Sequence, residues 1–391
     1  MLSAAARRAG WAAANLFALS VLMGIAMKIA QIAPLAESVP PRLYGGTERV
    51  VSFLTEELVR LGHEVTLFAA GDSLTSAELV PAAPRSLRLN PDVRDPIPYH
   101  LILLEHVRKR AHEFDILHFH IDLLHFPLLR QLGARTVTTL HGRLDLPDLK
   151  PFYSMFSDVP LVSISNDQRR PLPMANFVAT VHHGLPRDLL PFSPKPEGYL
   201  AFLGRISPEK RPDRAIEIAV RAGMPLKIAA KIDKVDEAYW YEHIKPLVDR
   251  HDNVEYIGEV NEKAKASFLG NAAALLFPID WPEPFGLVMI ESMACGTPVI
   301  AFRNGSVPEV IDHGVSGFIV NSVDEAVEMV ARLPQVDRAR VRSTFETRFT
   351  SERMASDYLA LYRRLINERK PSIPVETEVL AGVTQIGSSS S

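Results

Sequence analysis

One pattern constrains this chain more than any other: short Val-, Ile- and Leu-rich runs alternate with helix-period segments, and the whole series occurs twice. The first series places such runs at 28–33, 64–69, 115–119, 136–140, 161–165 and 177–181. Runs this apolar belong to strands buried on both faces, which requires a parallel sheet with helices on each side. The second places them at 199–203, 226–230, 254–257, 274–277, 298–302 and 317–320, with helical segments at 212–222, 237–250, 262–270 and 287–294. Pro186, Pro191, Pro194 and Pro196 interrupt the periodicity between the two series, so the linker falls at 191–196.

The expected architecture is α/β: two tandem doubly wound Rossmann-like domains facing a cleft, at 27–190 and 197–345. Open parallel sheets bind ligands beyond the carboxyl ends of their strands, so the chemistry belongs in that cleft. A last helical pattern at 346–369 has no strand after it and is expected to cross back to the first domain. Residues 370–391 read as a low-complexity tail. The extension 1–26 has Arg7 and Arg8 ahead of an uncharged, alanine-rich stretch that includes Asn15 and runs into the first strand. An unstructured extension, a membrane-associating helix and a cleaved signal all fit it.

Composition removes several classes of function. At 391 residues the chain exceeds one ordinary core, and 47% hydrophobic with 23% charged residues excludes general disorder. A net charge of -3 without a long basic run leaves no footprint for nucleic acid. The single cysteine, Cys295, can form neither an internal disulfide nor a thiolate metal cluster, and reads as a small buried hydrophobe.

The chemistry-bearing residues concentrate after two strands of the second series. In Trp281-Pro-Glu-Pro-Phe-Gly-Leu-Val-Met-Ile-Glu291, Pro282 and Pro284 forbid helix before Phe285. Helix starts near Gly286 or Leu287, so Glu283 stays in the loop and Glu291 lies one turn inside. Both can reach the cleft. The helix start offers free N–H groups to a phosphate, and a carboxylate suits a sugar or ribose diol. Spacing alone also fits two solvated acids. Arg205 and Lys210 follow the first strand of the second series, where two cations can face a diphosphate or simply be solvated. Gly45-Gly46 precede a helix in the first domain, and His141 ends a strand on the cleft side; each has an ordinary structural reading as well. His118, His120, Asp122 and His125 invite a metal, but their spacing does not show enough converging ligands, and no Asp-x-Asp occurs. No metal is expected.

These segments together resemble the signatures of retaining GT-B glycosyltransferases of family 4. The two glutamates with Phe-Gly-Leu between them continue into Ser-Met-Ala-Cys-Gly-Thr-Pro at 292–298. Gly204-Arg-Ile-Ser-Pro-Glu-Lys210, Gly305-Ser-Val-Pro-Glu309, Gly314-Val-Ser-Gly-Phe318, Gly45-Gly-Thr-Glu48 and Thr138-Thr-Leu-His-Gly142 fit the same pattern in the same order. The resemblance implies that Arg205 and Lys210 contact the donor diphosphate and Glu291 the ribose. It gives the donor sugar to Glu283 and places His141 near the reacting carbon. It adds the backbone of Phe285, Gly286, Leu287 and Val288, with Gly46 and Gly204, to the donor site.

The activity so implied is metal-independent transfer of a hexose-type sugar, with retention, from a nucleotide-diphosphate sugar. A UDP-sugar is favoured and a GDP-sugar second, with no further cofactor. The acceptor side is a glycan, a lipid-linked sugar or a metabolite. A cytoplasmic site at the inner face of a membrane, with peripheral contact, fits a lipid-linked acceptor. Two rivals share the architecture: a nucleotide-sugar epimerase and a non-catalytic nucleotide-sugar-binding module.

Overall fold

The computed structural model describes residues 26–42, 45–88, 90–132 and 135–368. Of the expected extension at 1–26 all but the last residue lies outside them, as does the whole tail at 370–391. The first sheet has seven parallel strands: β1 (Lys28–Ile32), β2 (Glu64–Ala70), β3 (Glu78–Ala83), β4 (Ile116–Phe119), β5 (Thr136–Thr139), β6 (Leu161–Ser163) and β7 (Phe177–Thr180). Their order is β3-β2-β1-β4-β5-β6-β7. The second sheet has six: β8 (Tyr199–Arg205), β9 (Leu226–Lys231), β10 (Val254–Gly258), β11 (Ala272–Phe277), β12 (Val299–Phe302) and β13 (Gly317–Val320). Its order, β10-β9-β8-β11-β12-β13, repeats the first. In each sheet the strand order reverses beside the first strand, β1|β4 and β8|β11, which opens a crevice at the carboxyl ends. The two domains are Rossmann-like and together form a GT-B architecture.

Helices cover both faces of both sheets. They are α1 (Gly46–Arg60), α2 (Ile97–Arg110), α3 (Phe126–Leu132), α4 (Leu149–Met155), α5 (Pro212–Arg221), α6 (237–250), α7 (Glu262–Gly270), α8 (Leu287–Ala294), α9 (Val307–Val310), α10 (Val323–Arg332), α11 (Arg338–Arg348) and α12 (Ser351–Asn367). Within α6 a π-helical turn at Trp240–Ile244 precedes Pro246, whose missing N–H breaks the regular ladder.

Several elements depart from expectation. Strand β3 was not anticipated because Pro81 removes a ladder donor; the strand lies at the sheet edge, where that is tolerated. Helices α2 and α4 form where no helical segment was anticipated. Strand β8 extends to Arg205, so this residue is the end of a strand rather than part of a loop.

The chain passes between the sheets twice, side by side. Leu185 N donates to Phe349 O at 2.9 Å and Ser351 N donates to Leu185 O at 2.8 Å. Helix α12 then lies against α1, and Met354, Tyr358, Leu361 and Tyr362 join Ile29, Val50, Leu54 and Leu58 in one buried cluster. Each such side chain, fully buried, contributes about 1.5–3 kcal/mol.

Candidate active site

A cleft of about 600 Å³ lies between the carboxyl ends of the two sheets. All eleven residues singled out from the sequence line it: Gly46, His141, Gly204, Arg205, Lys210, Glu283, Phe285, Gly286, Leu287, Val288 and Glu291. The cleft also takes in Arg49, His183, Glu262 and Lys265, which sequence reasoning missed.

Two helix N-termini converge there, one from each domain. Helix α1 starts after Gly45 and α8 after Gly286, and neither has a side-chain cap. A Cβ on Gly46 would stand 3.7 Å from Leu287 Cδ1, so the two ends nearly touch. Their uncapped amides and aligned dipoles make this the part of the cleft best suited to negative charge. Gly286 is required for a reason the sequence did not show: its φ is 79° and an added Cβ would press on Met289 Cε at 2.8 Å.

Glu283 is nearly buried in the loop between β11 and α8. It is ion-paired with Lys210 Nζ and accepts from Trp281 Nε1 at 3.1 Å, while Lys210 Nζ sits 4.8 Å from the Trp281 ring centroid. Lys210 ends the 3₁₀ turn Pro208–Lys210, whose next residue, Arg211, is left-handed with φ 54°. Behind this loop runs Gly305-Ser306. Ser306 Oγ donates to Phe285 O at 2.8 Å and Ser306 N to Glu283 O at 3.0 Å, which holds the loop's shape.

Arg205 faces three carboxylates: Glu209, Asp236 at 3.5 Å and Asp233 at 3.8 Å. Contact with a diphosphate therefore means exchanging acidic partners. Glu291 is buried in α8 and pairs with Lys265 Nζ at 2.6 Å. Lys265 in turn lies 3.5 Å from Glu262, and Glu262 is paired with Arg49 of α1. An ion chain thus runs from the first domain to Glu291. A second bridge joins the domains at Glu309 of α9, which accepts from Asn166 N and Asp167 N at 2.8 Å and meets His182 Nε2 at 3.2 Å. Those donors hold its carboxyl down at about 2 against the opposing effect of burial.

On the first-domain wall, His141 Nε2 is 2.9 Å from His120 Nδ1, and its ring stacks on His183 at 5.3 Å. Burial lowers His141 to about 3, so its imidazole is neutral at any working pH. His118 and His120 stand side by side as alternation requires, fully buried and hydrogen-bonded to Tyr362, Thr139 and Gln31. Among the described residues no cluster of three or more His, Cys, Asp or Glu is placed to hold a metal ion.

Two Rossmann-like domains with a cleft between them that suits negative charge are the architecture of GT-B glycosyltransferases. The profile described as glycosyl transferases group 1 matches residues 191–341, and that described as glycosyltransferase family 4 matches 44–161. Together the two matches, one in each domain, support a glycosyltransferase of group 1 type. It is 25% identical to N-acetyl-alpha-D-glucosaminyl L-malate synthase of Bacillus anthracis over 83% of this chain and 96% of that protein. AviGT4, a glycosyltransferase involved in avilamycin A biosynthesis, superposes with a TM-score of 0.66 at 24% identity, covering 88% of this chain and 99% of that one. Anabaena Alr3699/HepE in complex with UDP-glucose gives 0.65 at 16% identity over 86% and 100%.

Proposed function

We propose that the chain transfers a hexose-type sugar from a nucleotide-diphosphate sugar, with a UDP-sugar as donor, and retains the anomeric configuration. The convergence of the α1 and α8 N-termini beside Lys210 and Arg205 carries this reading. As the bond between sugar and phosphate breaks, negative charge grows on the departing diphosphate. Fixed cations and amides then stabilise the transition state more than the ground state. This is the charge work a metal would otherwise do, and it supports metal-independent transfer.

In this reading 197–345 is the donor domain and 27–190 the acceptor domain. Glu291 takes the ribose diol, Glu283 the donor sugar, the 285–288 backbone the sugar and phosphate, with Gly46 and Gly204 leaving room beside them. His141 contacts the transferred sugar from the opposite wall. His141 and His183 are both held neutral by burial and are poor bases, which favours the leaving phosphate as the group that takes the acceptor's proton. UDP-glucose is bound by a structural relative, and the malate synthase by its name uses an N-acetylglucosaminyl group; both support a UDP-sugar ahead of a GDP-sugar.

The acceptor is a carbohydrate, a lipid-linked sugar or a small metabolite that enters along the first domain. Among the described residues no helix is long and apolar enough to cross a membrane. A lipid-linked acceptor would be reached by peripheral contact at the inner face of a membrane. Incubation with a panel of UDP- and GDP-sugars, following nucleotide release with and without acceptor extract, tests donor and activity. NMR of the product tests stereochemistry, and an inverted anomeric centre would overturn retention.

A further inference from the structure

Four side chains from distant parts of the chain form one hydrogen-bonded line that ends at the cleft. Gln31 of β1 is fully buried, 2.7 Å from His120 Nε2 on one side and 3.2 Å from the Tyr362 hydroxyl of α12 on the other. The short contact fits a carbonyl oxygen accepting from an imidazole N–H, and the long one an amide NH₂ donating to a hydroxyl. The reverse placement would press two nitrogens to 2.7 Å.

That direction propagates. His120 carries its proton on Nε2, so its Nδ1 accepts from the His141 Nε2 that lies 2.9 Å away. A neutral imidazole has one N–H, and burial keeps both rings neutral. The proton of His141 is therefore on Nε2 and its Nδ1 is bare. His141 Nδ1 is itself buried and has no hydrogen-bond partner, an arrangement that costs free energy unless a ligand completes it. At the other end, the Tyr362 hydroxyl accepts from Gln31 and gives its proton to His118 Nδ1 at 2.6 Å, and His118 Nε2 meets Thr139 Oγ1 at 2.7 Å. The Tyr362 oxygen is the acceptor that holds the Gln31 amide in this orientation.

We propose that Gln31, His120 and Tyr362 are positioning residues that fix the tautomer of His141, so that its Nδ1 accepts a hydrogen bond from a hydroxyl of the bound sugar. The proposal rests on the reading of His141 as a sugar contact. It makes α12, a helix with no residue in the cleft, part of what sets the polarity of the cleft wall.

The test uses the full chain labelled with ¹⁵N-histidine, with His141→Asn to assign the ring signals. Wild type is expected to show His141 protonated at Nε2 alone. Tyr362→Phe and Gln31→Leu are expected to give a mixture of tautomers. With UDP-glucose as probe and UDP release as readout, kcat falls with the population of the Nε2-protonated form, by up to about tenfold, while KM changes less than about twofold. Tyr362→Phe keeps the ring, so it remains informative if Gln31→Leu does not fold. Protonation of wild-type His141 at Nδ1, a tautomer unmoved in a folded variant, or a shifted tautomer with kcat unchanged would each overturn the proposal. A tautomer that shifts in a chain inactive on UDP-glucose supports the relay and counts against the donor reading alone.

Discussion

Lys210 and Glu283 hold each other by an ion pair, and the Trp281 indole supports both, donating to the carboxylate at 3.1 Å and lying 4.8 Å from the ammonium. The three form one unit at the point where donor sugar and diphosphate would meet. Removal of either charged partner leaves the other uncompensated in a mostly buried place.

Lys210→Ala and Glu283→Ala are each expected to lower kcat for nucleotide release by about 10²–10³, the usual cost of losing one preorganised transition-state contact. The double variant should be little worse than either single one, because members of a unit are not additive. Independent, multiplying losses in steady-state kinetics would show that the pair is not a unit.

Gly305 supports the same loop from behind. It is left-handed, φ 55°, and a Cβ there would overlap the backbone of Glu283. Gly305→Ala should displace Glu283, lowering activity at least about tenfold and stability by about 1–3 kcal/mol. Thermal melts together with nucleotide release check this; a variant as active as wild type would mean that the Glu283 loop tolerates the shift.

Arg49 and Glu262 link the domains across the mouth of the cleft, with side chains 16% and 32% exposed. Such a partly exposed pair contributes only about 0.2–1 kcal/mol, so Glu262→Gln should leave the melting temperature nearly unchanged. Its effect belongs on closure: KM for donor rises about two- to fivefold, by the same energy. Small-angle scattering should show a larger radius of gyration without donor, and an unchanged radius with unchanged KM would remove the pair from the closing contacts.

Four buried imidazoles and the partly buried His141 make the fold acid-sensitive. Burial lowers His125 and His141 to about 3, and His118, His120 and His183 well below their ordinary value of 6.5. The unfolded chain binds protons at these rings below pH 6.5, whereas the folded chain resists protonation there, at His125 and His141 down to about pH 3, so stability falls as pH drops below 6.5. Each ring contributes up to about 1.4 kcal/mol per pH unit. Glu309, depressed from 4.5 to about 2, adds to the loss only below 4.5. Denaturant titrations should show a steep fall from pH 6.5 to pH 5, whereas kcat/KM should show no limb from His141 in that range.

The sequence exposes the second domain's site well because Arg205, Lys210, Glu283 and Glu291 sit in two short segments after neighbouring strands, where the periodicity breaks. Strand β13 and helices α7 and α8 have the expected bounds for a related reason: each is closed by local glycine, proline or asparagine signals. Helix α2 was illegible because Ile97, Leu101 and Ile102 are exposed and blur its apolar stripe. Local signals also could not reveal that Lys265 answers Glu291, that Arg49 answers Glu262, or that Gln31 and Tyr362 meet 331 positions apart. Those partners are chosen by the topology, which no window of residues contains.

The return of α12 to the first sheet also fixes an order of assembly. Ile29, Val50, Leu54 and Leu58 leave the ribosome early, but the side chains that cover them, Met354, Tyr358 and Tyr362, are translated only after the second sheet is complete. The apolar groove of the first domain therefore cannot be covered by α12 until the second sheet has been made.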